Sequence, residues 1–223
     1  MTRIIVFDVN ETLLDLAPVR EWFRRRFDDH PDARMWFSEL LRLSFVSSVT
    51  DRYVPFTDLA ASALETVASR SGAIIDTQDI AEVKGLFVQL PPHPDVIGGM
   101  TLLKEAGFTL AALTNSPAST AHTQLDNAEI SQLFTSIMSV EMVNRFKPHR
   151  SVYEAAAEHM DTSTSEMVMV AAHDWDIAGA ITAGLDGIFI ERPSQIYSPA
   201  FPPPTTTAQD LEAAAVAIIK RYG

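Results

Sequence analysis

Five short apolar runs, 4–7, 109–113, 137–140, 167–170 and 187–190, punctuate the chain and read as buried strands. The segments between them, 96–106, 117–128, 150–160 and 176–183, are each long enough for a crossover helix. Strand alternating with helix predicts an α/β fold built on a doubly wound parallel sheet. The stretch 18–90 breaks the alternation, because amphipathic helical patterns at 19–27, 35–49, 56–69 and 79–87 follow one another with no strand between them. Breakers mark its borders, Pro18 at entry and Pro91-Pro92-His93-Pro94 at exit. The pattern therefore predicts a catalytic core from 1–17 and 91–223, with a helical cap at 18–90 inserted after the first strand. The Pro-rich stretch 199–204, with Thr205 to Thr207, reads as a linker before a final surface helix over 208–220. No internal repeat is visible.

Composition narrows the partners. With 47% hydrophobic and 21% charged residues the 223-residue chain is core-forming, which excludes wholesale disorder. A net charge of −12 repels nucleic-acid backbones and anionic lipid surfaces. The basic triplet Arg24-Arg25-Arg26 runs straight into Asp28 and Asp29 and reads as a solvated helix face. The absence of cysteine removes disulfides, thiolate nucleophiles and Cys-ligated metals together. The apolar run at 4–7 is too short for a secretory core, and no run approaches the ~18 residues of a membrane span. The expectation is a cytoplasmic protein with neither nucleic acid nor membrane as partner.

Ligands of open parallel sheets gather beyond the carboxyl ends of the strands, where loops and helix N-termini converge. Polar groups stand at four of those ends: Asp8-Val9-Asn10-Glu11-Thr12, Thr114-Asn115-Ser116-Pro117, Arg145-Phe146-Lys147-Pro148 and His173-Asp174-Trp175-Asp176. Asp8, at the lip of an apolar strand, has the chemistry of a nucleophile, a metal ligand or a helix cap. Lys147 is a cation that would keep such a carboxylate ionised.

These segments, with Leu13 after Thr12 and with Tyr153, resemble the four motifs of the haloacid dehalogenase-like superfamily, and more narrowly the L-2-haloacid dehalogenases. The resemblance spans nearly the whole chain and implies a Rossmann-like core under a helical cap. Magnesium-dependent phosphatases of that superfamily carry a second acid two residues after the nucleophile, where this chain has Asn10. They hold the metal with an acid four or five residues before the last Asp of the fourth motif, where Ala172 and Ala171 stand. Methyl groups cannot ligate a hard cation, so neither metal nor cofactor is expected.

The resemblance then implies that Asp8 attacks C2 of a short 2-haloalkanoate, that halide leaves with inversion, and that water hydrolyses the aspartyl ester to a 2-hydroxy acid. By the same resemblance Lys147 is the cation beside Asp8, Thr12 and Thr114 orient the carboxylate or bind substrate, Tyr153 is a supporting phenol and Asp176 orients or activates water. Arg42 of the cap, Asn115 and Trp175 match the halide-binding positions, with Asn10 beside them. The chain departs from the family at Asn10-Glu11, where Tyr-Gly is usual, and at Ala171-Ala172-His173, where a serine pair and asparagine are usual. His173 either takes the proton of the hydrolytic water or replaces the hydrogen bonds of that asparagine. The rival readings are a magnesium-dependent phosphatase of small metabolites and an inactive binding protein on the same fold. A homodimer through apolar cap surface is a possible assembly.

Overall fold

The computed structural model describes residues 3–28 and 30–223. Six parallel strands form one sheet in the order β3-β2-β1-β4-β5-β6. They are β1 (Ile4–Phe7), β2 (Thr109–Thr114), β3 (Ser136–Ser139), β4 (Met167–Ala171), β5 (Asp186–Ile190) and β6 (Thr206–Ala208). The chain runs outward from β1 to β3, then returns to β4 on the other side of β1. Ile4 to Phe7 pair in register with Thr109 to Ala112 on one flank and Met167 to Val170 on the other. A strand flanked on both edges and covered on both faces needs an unbroken apolar run, and Ile5, Val6 and Phe7 are fully buried.

Four helices, α1 (Ala17–Phe27), α2 (Ala33–Val49), α3 (Phe56–Arg70) and α4 (Thr77–Phe87), fill the interval between β1 and α5 (Val96–Glu105). Local chemistry starts them. Proline occupies the first turn of α1, Asp32 caps α2 through Met35 N–H, and Asp76 with Asp79 closes a capping box on α4. Their apolar faces meet in an aromatic cluster of Trp22, Phe23, Trp36, Phe56 and Phe87, continuous with the core of the sheet. The remaining helices are α6 (Ala118–Asn127), α7 (Arg150–His159), α8 (Asp174–Ala183) and α9 (Leu211–Tyr222).

The segment expected to be a linker holds β6, whose Thr206, Thr207 and Ala208 pair with Ile188, Phe189 and Ile190. A three-residue edge strand has no apolar run to announce it. Among the described residues no helix is long and apolar enough to cross a membrane.

One glycine positions the site. A Cβ on Gly179 would lie 2.4 Å from Pro148 Cβ and 2.7 Å from the Tyr153 hydroxyl, so only glycine lets α8 approach the Lys147-Pro148 loop and α7 this closely.

Candidate active site

The strand order reverses between β1 and β4, and the carboxyl ends of these two neighbours carry Asp8 and His173. A switch point leaves a crevice because the loops after the two strands turn to opposite sides. In front of His173 lies a cavity of about 290 Å³, walled by Glu11, His173 and Trp175 from the strand ends and by Phe37, Ser38 and Leu41 from α2.

Asp8, Lys147, Asp176 and Tyr153 form one buried array. Lys147 Nζ donates to Asp8 Oδ1 at 2.8 Å, to Asp176 Oδ2 at 2.6 Å and to the Leu113 carbonyl at 2.8 Å. Three acceptors match the three donors of an ammonium, which is what allows it to be completely buried. The Tyr153 hydroxyl donates to Asp176 Oδ1 at 2.6 Å. Burial opposes ionisation of Asp8, but the charge of Lys147 and the hydrogen bond from His173 outweigh it and hold the carboxyl well below its ordinary range. Burial likewise opposes the charge on Lys147, yet Asp176 and Asp8 raise its pKa above the usual lysine value. Asp176 moves upward, because burial and the charge of Asp8 exceed the help it has from Lys147. Burial and the Asp176 charge also keep the Tyr153 phenol protonated far above its normal range.

A second array approaches Asp8 from the cavity. Thr12 Oγ1 donates to Asp8 Oδ2 at 2.7 Å while accepting from Ala172 N–H at 2.9 Å, tying the turn after β1 to the turn after β4. His173 Nδ1 lies 2.9 Å from Asp8 Oδ2, and its Nε2 lies 3.1 Å from Glu11 Oε2. Burial works against a charged imidazole, but the two carboxylates at its two nitrogens raise its pKa to about 10. His173 is therefore an imidazolium at neutral pH and donates at both ends. Its ring stacks on Phe37 at 5.9 Å and on Trp175 at 4.9 Å, faces that favour a cation.

Sequence reasoning overlooked Glu11, Gln195 and Phe37. Glu11 holds a left-handed backbone, φ 61°, which non-glycine residues adopt at a cost of roughly 1–2 kcal/mol. The turn Glu11 N–H to Leu14 carbonyl at 2.8 Å and the His93 ring on the Glu11 carbonyl at 3.2 Å sustain it. Gln195 Nε2 steadies the Glu11 carboxylate at 3.1 Å. The available signal was the acid that replaces a glycine beside the nucleophile position.

Other expected site residues stand elsewhere or face otherwise. Arg42 does not reach the cavity: its guanidinium donates to Glu39 at 2.9 and 2.7 Å, and Arg70 from α3 joins at 3.0 Å. Glu39 is buried and needs countercharge, so it draws Arg42 away and leaves Phe37, Ser38 and Leu41 as the wall. Asn10 turns from Asp8, donating to Ser116 Oγ at 3.2 Å and accepting from Gln124 at 3.0 Å. Asn115 Oδ1 accepts from Lys147 N–H at 3.0 Å, and Thr114 Oγ1 from Ser116 N–H at 3.2 Å, so both brace the loops that carry the array. Trp175 does line the cavity.

The donor set does not suit magnesium. The ammonium of Lys147 stands between the Asp8 and Asp176 carboxylates, Ala171 and Ala172 bring no side-chain oxygen, and the Asn10 carbonyl is taken by Gln124. Among the described residues no group of three or more His, Asp or Glu is placed to hold a metal ion.

With this geometry in view, the likeness to known proteins is consistent in sequence and in shape. The (S)-2-haloacid dehalogenase H-109 of Pseudomonas putida is 26% identical over 209 residues, 93% of each chain. The haloacetate dehalogenase H-2 of Moraxella sp. is 25% identical over 190 residues, 84% of this chain and 85% of that one. The solved L-2-haloacid dehalogenase of Xanthobacter autotrophicus, with chloropropionic acid covalently bound, superposes over all of both chains with a TM-score of 0.91 at 20% identity. The family model of the haloacid dehalogenase-like hydrolases matches residues 2–184, and the chain belongs to that family.

Proposed function

We propose that the protein is a hydrolytic dehalogenase of 2-haloalkanoic acids, releasing halide and a 2-hydroxy acid through an ester on Asp8. The observation that carries this reading is a buried carboxylate kept ionised by Lys147 and joined through an imidazolium to the cavity walled by α2. Carboxylates are weak nucleophiles in water, and removal from water together with fixed hydrogen bonds makes one competent toward carbon. The related dehalogenases of Pseudomonas and Moraxella support a carbon–halide substrate.

In the first step a carboxylate oxygen of Asp8 bonds to C2 and the carbon–halogen pair leaves as halide. Lys147 and His173 are the cations of the site as negative charge moves onto the halogen. Esterification erases the charge of Asp8, and with it much of what keeps His173 protonated, so the imidazolium releases its proton to solvent. Neutral His173, its Nε2 side aligned by Glu11, then takes a proton from water as that water attacks the ester carbonyl. Collapse of the tetrahedral adduct expels the alkoxide, which takes the carboxyl proton. The products are 2-hydroxy acid, Asp8 carboxylate and His173 imidazolium, and one proton is released per halide. Asp176, fixed by Lys147 and Tyr153, positions Lys147. The insert at 18–90 serves as the cap, with α2 supplying the outer wall of the cavity.

The test is halide release from 2-chloro- and 2-bromopropionate with and without EDTA, followed by a single turnover in heavy-oxygen water. Undiminished release in chelator and one labelled oxygen in Asp8 are expected. Turnover that vanishes with chelation, or label found only in the hydroxy acid, refutes the reading.

A further inference from the structure

The cavity in front of His173 exceeds the needs of a short haloacid. At roughly 30 Å³ per liquid water, its volume of about 290 Å³ holds on the order of ten waters, against about six non-hydrogen atoms in a 2-halopropionate. A second cavity of about 270 Å³ shares Arg20, Arg34 and Ser194 with it as walls, so the space continues outward past two guanidinium groups. Its wall beside His173 is apolar, made by Phe37, Leu41 and Trp175.

The cations at the mouth differ in how firmly they are held. Arg20 donates to Asp15 at 2.6 Å. Arg34 meets Asp32 at 3.3 and 3.4 Å, long for a charge-assisted bond, and its side chain is 72% exposed. Asp32 in turn is committed through its other oxygen to Met35 N–H. The remaining acids of the wall are also engaged, Glu11 by His173 and Gln195, Asp174 by Trp175 N–H. Each arginine of the mouth faces one carboxylate, and the loose, exposed pair of Arg34 with Asp32 leaves Arg34 the cation most open to a second anion.

We infer that the site is built for 2-halo dicarboxylic acids of medium chain length: the halogen-bearing end at Asp8, methylenes along Phe37, Leu41 and Trp175, and the distal carboxylate on the Arg34 guanidinium with Arg20 beside it. A planar guanidinium binds a carboxylate in a two-point fork, which fixes the far end of the chain. This inference rests on the dehalogenase reading and deepens it by naming the substrate class.

The experiment compares bromide release from 2-bromohexanedioate and 2-bromohexanoate, which share their chain length and differ in the terminal carboxylate. The wild type is expected to prefer the diacid at least tenfold in kcat/KM. Arg34→Gln should collapse that ratio toward one, mainly through KM, and Arg34→Lys should keep part of it. A wild-type ratio at or below one, or a ratio unchanged in Arg34→Gln, overturns the inference. Should Arg34→Gln not fold, the wild-type ratio between about 0.02 and 0.5 M salt decides instead, because an ion pair at an open mouth weakens on screening. A ratio indifferent to salt then counts against it. Release from 2-bromopropionate and 2-bromohexanoate with none from the diacid sinks this inference alone. No bromide from any of the three acids sinks the dehalogenase reading, and this inference with it.

Discussion

Asp8→Asn removes a negative charge while keeping the size of the side chain, and so reproduces electrostatically what the proposed ester would do to this residue. In the wild type the His173 pKa stands at about 10 against an ordinary 6.5, a net rise of about 3.5 units achieved against the opposing effect of burial. The rise comes from Asp8 at Nδ1 and Glu11 at Nε2. The two carboxylates together must exceed that net rise by whatever burial subtracts, so on an even share losing Asp8 lowers the pKa by at least about 2 units, upward of roughly 2–3 kcal/mol at 1.36 kcal/mol per unit. His173 in Asp8→Asn should then titrate at about 8 or below, and in the double variant with Glu11→Gln below its ordinary value, because burial is left unopposed. The assay is an NMR titration of the imidazole carbons, with His173→Asn used to assign the signal among six histidines. A His173 pKa in Asp8→Asn within about half a unit of the wild type refutes the proposed exchange of roles from imidazolium to base. The same exchange predicts that, in a rapid-mixing experiment with a pH indicator, proton release accompanies the halide burst and precedes the hydroxy acid.

Other expectations use the same geometry. Lys147→Met leaves Asp8 and Asp176 buried without their cation, and urea unfolding should show a loss of about 3–5 kcal/mol along with loss of halide release. Gly179→Ala drives a methyl against Pro148 and the Tyr153 hydroxyl, so kcat should fall at least tenfold while circular dichroism still reports a folded chain. Arg42→Ala should leave halide release within about twofold of wild type and cost no more than about 1 kcal/mol in denaturant melts, since Arg70 remains on Glu39. A raised histidine pKa stabilises below the unfolded value and loses that contribution as pH climbs through the folded one. The melting-temperature advantage of wild type over His173→Asn should therefore be largest below pH 6.5 and disappear as pH passes about 10.

The parts of this fold that were legible in the sequence are those where burial forces a pattern. A central parallel strand is covered on both faces, so β1, β2 and β4 announce themselves as apolar runs, and their ends locate Asp8, Thr114 and His173 by topology alone. The meeting of Asp8, Lys147, Asp176 and His173 was likewise accessible, because the ionisable residues beyond the ends of β1, β3 and β4 converge on one crevice. What stayed hidden depends on partners far along the chain. Whether Arg42 or Phe37 lines the cavity was decided by Glu39, whose burial brings in Arg70 from a different helix. The direction of the Asn10 amide was decided by Gln124 on α6. Glu11 stands beside His173 on a left-handed backbone, and the hint of that choice is its place where the family usually has glycine. On the proposed mechanism this last displacement sets the chemistry: an acid placed behind the histidine would let one imidazole serve as cation before the ester forms and as base after it, so that the change of charge at Asp8 orders the two steps.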